Sequence, residues 1–320
     1  MLTVDANSTA PHLIDTLLPL LQSTSDINVV PTFQRQPTTS LNLSICVPKL
    51  LSLLHLVALS CAHNPSDIRR FWRFMRFDFV LMVVYPVQPL ADILTMLDIL
   101  RTSILPATFG PIVSSVSAST STSAATMTTP VNPQQAKNER YVLERLTALL
   151  TETPRHPPPL STPRYPAHTL SSLRLSVLSV LSSLSKTAHG LQALAIHPSA
   201  IARLVKILHD EMDALYDHRY GHELSASMIN TSTRILHSIM TSDEAKEGVS
   251  DLQGKLTGGG LGGAGMHKHI VGLTRLAFSG GEILEKGIDD EVVEMAHRLL
   301  EEAVTPEEGE ALLGAFTSDD

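Results

Sequence analysis

The sequence predicts an all-α protein, a HEAT/armadillo-like helical solenoid that carries a disordered Ser/Thr-rich insertion. Three observations predict it. Hydrophobic residues make up 43% of the chain but aromatic residues only 4%, and the remainder are mostly Leu, Ala, Val and Ile, a usage that favours helices over sheets. Apolar residues recur at helical spacing nearly everywhere outside two tracts, whereas alternating runs bounded by hairpin turns are almost absent. Short joints between consecutive helices suit antiparallel pairs stacked into an array.

In chain order, residues 1–105 form a first set of helical pairs, with helices expected at His12–Gln22, Pro48–Ala62, Ser66–Val84 and Pro89–Ile104. The most apolar run, Ile45 to Ala62, contains Pro48, Lys49, two serines and His55. It is barely long enough to span a bilayer and reads as a core helix. The stretch "HNPSD" opens the helix over 66–84 at Pro65 or Ser66, and Pro86 closes it. Residues 106–135 are a linker: Pro106 to Pro133 is rich in Ser, Thr and Ala, nearly uncharged and without a helical stripe, so it is read as disordered.

Residues 136–320 form a second array, with helices expected at Ala136–Leu150, Leu170–Lys186, Ser199–His218, His222–Met240, Met266–Phe278, Asp290–Ala303 and Pro306–Ala315. A stiff Pro-rich connector over 152–168 and a flexible Gly-rich loop over 254–265 interrupt it. "TPEE" at Thr305–Glu308 reads as a capping box with proline in the first helical position.

Charge and cysteine usage narrow the function classes. A net charge of −8 repels a phosphate backbone unless basic residues gather on one face. Cys46 and Cys61, on one helix, would lie about 22 Å apart and cannot bridge, which fits a reducing compartment, cytosol or nucleus. The first twenty residues lack the basic flank and cleavage site of a signal peptide.

"RRFWRFMRFDFVLM", Arg69 to Met82, packs four arginines among five aromatic rings. On a helical wheel Arg69, Arg73 and Arg76 fall within a stripe roughly 60° wide, and Arg70 stands apart. The rings and aliphatic residues fill the remaining circumference, so the helix is expected to be buried on several sides. Bases would need exposed rings to stack on, and core packing is the simpler use. Asp78 lies within the apolar arc and must find a partner there. The arginine edge is the candidate contact for an acidic partner.

Candidate chemistry is thin. "HDEMDALYDH" sets His209, Asp213 and Asp217 on one helical face, which could offer metal ligands, though solvated acidic positions explain it better. His267 and His269 point to different faces. "SLSK" at Ser183–Lys186 matches Ser-x-x-Lys, but the partner motifs of penicillin-recognising enzymes are missing. No Gly-x-Ser-x-Gly occurs, and both cysteines have apolar neighbours that discourage a thiolate. "TGGGLGGAG" at Thr257–Gly265 lacks the Lys-Ser/Thr of a phosphate-binding loop. The sequence therefore points to no catalytic, metal or cofactor site. On Asp290–Ala303, by contrast, Val292, Met295, Ala296, Leu299 and Ala303 form an apolar stripe with an acidic back. It is expected to dock on its own array or, through Val292, Met295 and Leu299, on a partner.

The segments Arg69–Val84 and Met266–Phe316, with the Ser/Leu helices between them, resemble the C-terminal half of fungal ATR-interacting proteins. That family supplies the regulatory subunit of the DNA-damage checkpoint kinase ATR. The resemblance implies a non-catalytic, nuclear solenoid that binds the helical N-terminal region of the kinase and supports checkpoint signalling and repair. It further implies an indirect association with single-stranded DNA coated by replication protein A. The residues themselves point to no membrane contact and no sequence-specific contact with nucleic acid, and a homodimer stays open. Residues 1–60 show no heptad-rich coiled coil and no acidic recruitment motif, so the chain resembles a truncated product, a partial gene model or a divergent short form of the family. A generic HEAT/armadillo scaffold without a checkpoint role is the other reading.

Overall fold

A computed structural model describes residues 40–62, 64, 67–68, 71–72, 80, 83–85, 88–103, 133–154, 165–186, 188–195, 197–217, 222–242, 266–279 and 282–303. Among these, every regular element is helical: α1 (Ser40–Cys61), α2 (Leu90–Ser103), α3 (Pro133–Ala148), α4 (Ala167–Ser185), α5 (Ala188–Ala195), α6 (Pro198–Asp217), α7 (His222–Thr241), α8 (Met266–Phe278), α9 (Glu282–Glu285) and α10 (Asp290–Ala303). Helix α1 packs on α2, α2 on α4, α4 on α7 and α7 on α10, forming one row. Helices α3, α6 and α8 pack in sequence as a second row, and the rows meet where α6 lies on α7 and α8 on α10. This is the two-layer stacking of a helical solenoid, in which each pair buries the face its neighbour leaves open. No described helix is long and apolar enough to cross a membrane.

The core runs continuously between the rows. Val57, Ala58 and Cys61 of α1, Ile93, Met96 and Leu100 of α2, Val177 and Leu181 of α4, Leu204 and Leu208 of α6 and Ile235 and Ile239 of α7 are all buried. Their spacing is the helical 3–4 repeat, which alone brings such residues to one side. Phe71 and Trp72 are also buried and meet edge-on, with ring centroids 6.0 Å apart. Trp72 Nε1 donates to the Ser103 carbonyl at 2.6 Å, anchoring this segment on the last turn of α2, whose carbonyls have no intrahelical donor. These two rings belong to the interior, as the sequence suggests. The other rings of the stretch and Asp78 lie outside the described residues.

Trp72 is the single tryptophan, so intrinsic fluorescence reports this anchor directly. Its emission is expected to be blue-shifted in the native protein and to move red on unfolding. Trp72→Phe should cost about 1 kcal/mol through the lost hydrogen bond, measured by chemical denaturation followed by circular dichroism.

Several boundaries differ from the sequence reading for identifiable reasons. Helix α1 starts at Ser40 and contains Pro48, whereas the proline suggested a first turn. Pro48 is exposed; lacking an N–H, it leaves the carbonyl four residues earlier without its helical donor. Helix α5 was not expected. Gly190 disguises it, yet the glycine is required, because a Cβ there would collide with the backbone carbonyl of Leu184. Helix α6 begins one residue early, with Pro198 as its first residue, where a missing N–H costs nothing. The helix expected at His12–Gln22 and that at Pro306–Ala315, with its capping box, lie outside the described residues.

Candidate protein-interaction surface

The C-terminal end of the array is built around two side chains that span helices. Glu211 of α6 is fully buried. Its carboxylate accepts from Arg174 Nη1 on α4 at 3.3 Å and from Ser225 Oγ on α7 at 3.0 Å. A buried carboxylate needs such donors, and this one ties three helices together. Asn230 of α7 works on the loop that leads into α10. Its Nδ2 donates to the Gly287 carbonyl at 3.1 Å, and its Oδ1 accepts from the Asp289 N–H at 3.2 Å. Gly287 sits at φ +89°, the left-handed conformation that closes α9 and suits glycine. The Asp289 carboxylate pairs with Arg234 Nη2 at 2.7 Å.

That loop sets the entry of α10. Val292 is fully buried, Leu299 is 5% exposed and Met295 is half-buried, and the helix lies against α7 and α8. Of the C-terminal candidates, then, Val292 and Leu299 are covered by the chain's own helices, and Met295 sits at the flank. The outward face presents Glu291, Glu294, Arg298 and Glu301, with Arg298 reaching Glu294 at 3.2 Å. Beside it, Phe278 is 54% exposed and stands edge-on to His297 at 4.9 Å. Leu284 is also exposed, and Lys286 Nζ lies over the Tyr216 ring at 4.2 Å. The candidates Arg69, Arg73 and Arg76 lie outside the described residues.

The side chains considered for chemistry have structural uses. Asp213 accepts from Arg275 Nη1 of α8 at 2.7 Å and lies 3.7 Å from His209 Nε2. It is an inter-helix ion pair joining α6 to α8, and among the described residues no group of three or more potential ligands gathers for a metal. The Asp217 side chain lies outside the described set. The Ser183 hydroxyl donates to the Ser179 carbonyl of its own helix at 3.0 Å, and Lys186 is exposed. Cys61 is a buried thiol outside any disulfide. Burial also raises the Tyr165 phenol above its ordinary value.

Glu211, Arg174 and Asn230 were not singled out from sequence, although a signal existed for the first two. Glu211 falls four residues after Ile207 and seven after Leu204, both buried, and Arg174 stands three before Val177 and seven before Leu181. A charge in the apolar register of a helix implies a buried partner. Asn230 carried no such mark, because its role depends on a loop 57 residues away.

A family model described as Rad26-like, helical repeats, matches residues 20–240, well over half the chain. The chain belongs to the Rad26-like family. A second model, the Rad26-like C-terminal domain, matches residues 250–316, so the first match ends in the last turn of α7 and α8 lies within the second. Among solved structures, the Rad26-like fold matches the crystal structure of Myceliophthora thermophila Rad26 (residues 373–841) with a TM-score of 0.67 and 30% sequence identity, over 93% of this chain and 76% of that one. No curated protein matches.

Replacing Asn230 by alanine is expected to free the loop before α10. Both of its hydrogen bonds reach backbone groups, so the loss should be about 1–2 kcal/mol. Hydrogen exchange at the Asp289 amide should accelerate, while the amides of α4 should keep their protection.

Proposed function

We propose that this chain is a non-catalytic adaptor, the regulatory subunit of a large PI3K-like DNA-damage checkpoint kinase of the ATR type, working in the nucleus. The observation that carries the reading is the Rad26-like match along both the helical repeats and the C-terminal domain. The physical character of the surface supports it. The described polar clusters hold helices together, and a solenoid of this kind offers extended faces to another helical protein. Its partner is the helical N-terminal region of the kinase, and its association with single-stranded DNA coated by replication protein A is indirect.

The test is co-purification of the full chain with the N-terminal helical region of an ATR-type kinase across a salt titration. Retention at high salt supports docking through apolar surface, because exposed ion pairs are screened. Failure at every salt concentration removes the kinase reading and leaves a generic helical scaffold. Within the reading, Arg69, Arg73 and Arg76 are the edge proposed to meet acidic groups, and the α10 stripe of Val292, Met295 and Leu299 is proposed to shape the second contact, with Met295 at its accessible flank. Arg73→Glu together with Arg76→Glu is expected to weaken binding about tenfold or more at low salt, an effect that shrinks as salt rises. Unchanged far-ultraviolet circular dichroism separates this from misfolding; equal loss of helicity would show that the arginines are structural.

A further inference from the structure

The seam between α8 and α10 carries an apolar strip edged by carboxylates. Phe278, the last residue of α8, is 54% exposed. Its ring meets His297 of α10 edge-on at 4.9 Å, which fixes the ring in position without covering it. Val293 and Leu300 stand four residues before and three after His297, hence on the same side of α10, and both are only half-buried. Asp290, Glu294 and Glu301 stand seven before, three before and four after His297, and all three are exposed. A row of carboxylates therefore runs beside the strip for about 16 Å, three helical turns. The nearby cations are engaged elsewhere. Arg275 pairs with Asp213 at 2.7 Å, Lys286 Nζ lies over the Tyr216 ring, and Arg234 serves Asp289 and Glu291. Arg298 reaches Glu294 at 3.2 Å, which leaves Asp290 and Glu301 without an ion pair among the described residues.

We propose that this seam docks a basic amphipathic helix of another protein, its apolar side on Phe278, Val293 and Leu300 and its Lys or Arg residues along Asp290, Glu294 and Glu301. Charge selects this occupant. Residues 304–320, which follow α10, contain five carboxylates and no Lys, Arg or His, so that segment would bring like charge to the row. A second copy would do the same, because an isologous contact sets each patch against itself and opposed like charges are costly. A helix that carries cations instead gains an ion pair at each unpaired carboxylate. It also gains an aromatic anchor, since the exposed Phe278 ring can take a guanidinium over its face. A straight row three turns long matches the span of one helix laid along α10 with contacts at 3–4 spacing. The inference does not depend on the kinase reading.

The test adds the full chain to a labelled synthetic helical peptide with leucines on one side and arginines on the other, and follows fluorescence anisotropy. Phe278→Ala is expected to weaken binding about tenfold, and Asp290→Lys with Glu301→Lys to weaken it further. Glu223→Lys, at an exposed carboxylate on α7, should leave it unchanged. Unaltered far-ultraviolet circular dichroism shows that the variants are folded. Absence of binding, equal affinity for the parent and Phe278→Ala, or an equal loss with Glu223→Lys overturns the proposal, the last two by reducing the contact to general attraction toward an acidic protein. A photo-crosslinking amino acid at position 278 gives a second reading that distinguishes the occupants. The expected adduct is to the peptide; a covalent dimer, or a crosslink mapped by fragmentation to residues 304–320, would show that this chain covers the seam itself.

Discussion

Arg174→Met is expected to lower the unfolding free energy by about 3 kcal/mol, far more than a surface substitution of the same size. Glu211 is fully buried and takes one of its hydrogen bonds from Arg174 at 3.3 Å. Methionine keeps the aliphatic length of arginine but leaves the carboxylate without its cation, and removing one partner of a buried pair costs about 3–5 kcal/mol. The lower end applies here, because the Arg174 side chain is 25% exposed and Ser225 continues to donate. The pair itself has a different worth. Arg174→Met with Glu211→Leu together should recover much of the loss, since apolar replacement of both members is often nearly neutral. Denaturant titration of the three variants checks this. A single-variant loss below about 1 kcal/mol would mean that Glu211 is held by its other neighbours and that Arg174 is a surface residue in effect.

The triad also shows which parts of the molecule could be read from the chain and which could not. Helices Met266–Phe278 and Asp290–Ala303 carry the same bounds in the sequence reading and in the structure, because their apolar stripes and flanking breakers are local. The solenoid follows from the same local information repeated. What local periodicity lacks is the identity of the covering surface. The stripe of Val292, Met295 and Leu299 states that something must cover it, and the covering turns out to be α7 and α8. The 3–4 spacing is the same whether the partner is intramolecular or foreign, so the two uses cannot be told apart from residues 290–303 alone.

Polar residues suffer the reverse problem. "HDEMDALYDH" looks like a hydrated acidic face, and Asp213 is indeed 39% exposed, but Glu211, two residues earlier, is buried at the three-helix junction. A step of two residues turns a helix by about 200°, which separates an outer ion pair from an inner one. Asp213 and Arg275 then join α6 to α8 from outside, while Glu211 joins α6 to α4 and α7 from inside. One short segment thus fixes α6 to three neighbours.

Gly272→Ala is the second large effect, and it sets two opposing terms against each other. Within α8 alanine is the better helix former by about 1 kcal/mol, so an isolated α8 peptide should gain helicity. In the protein, a Cβ at Gly272 would stand 2.6 Å from His209 Cα, 2.9 Å from His209 Cβ and 3.1 Å from His209 N. These are backbone and near-backbone atoms of α6, which no rotamer change can move aside. The helices must separate, and overpacking of this kind costs about 1–3 kcal/mol, before the 2.7 Å pair between Arg275 and Asp213 and the packing of buried Leu276 are disturbed. The clash wins, with a net loss of about 2 kcal/mol. Because α8 and α7 together seat α10, the damage should appear first as faster hydrogen exchange around Val292 and Leu299, ahead of global unfolding. Kinase docking, if it uses this end of the array, should weaken in parallel. A Gly272→Ala protein at least as stable as the parent would mean that α6 and α8 do not cross backbone to backbone, and that α10 is seated by α7 alone.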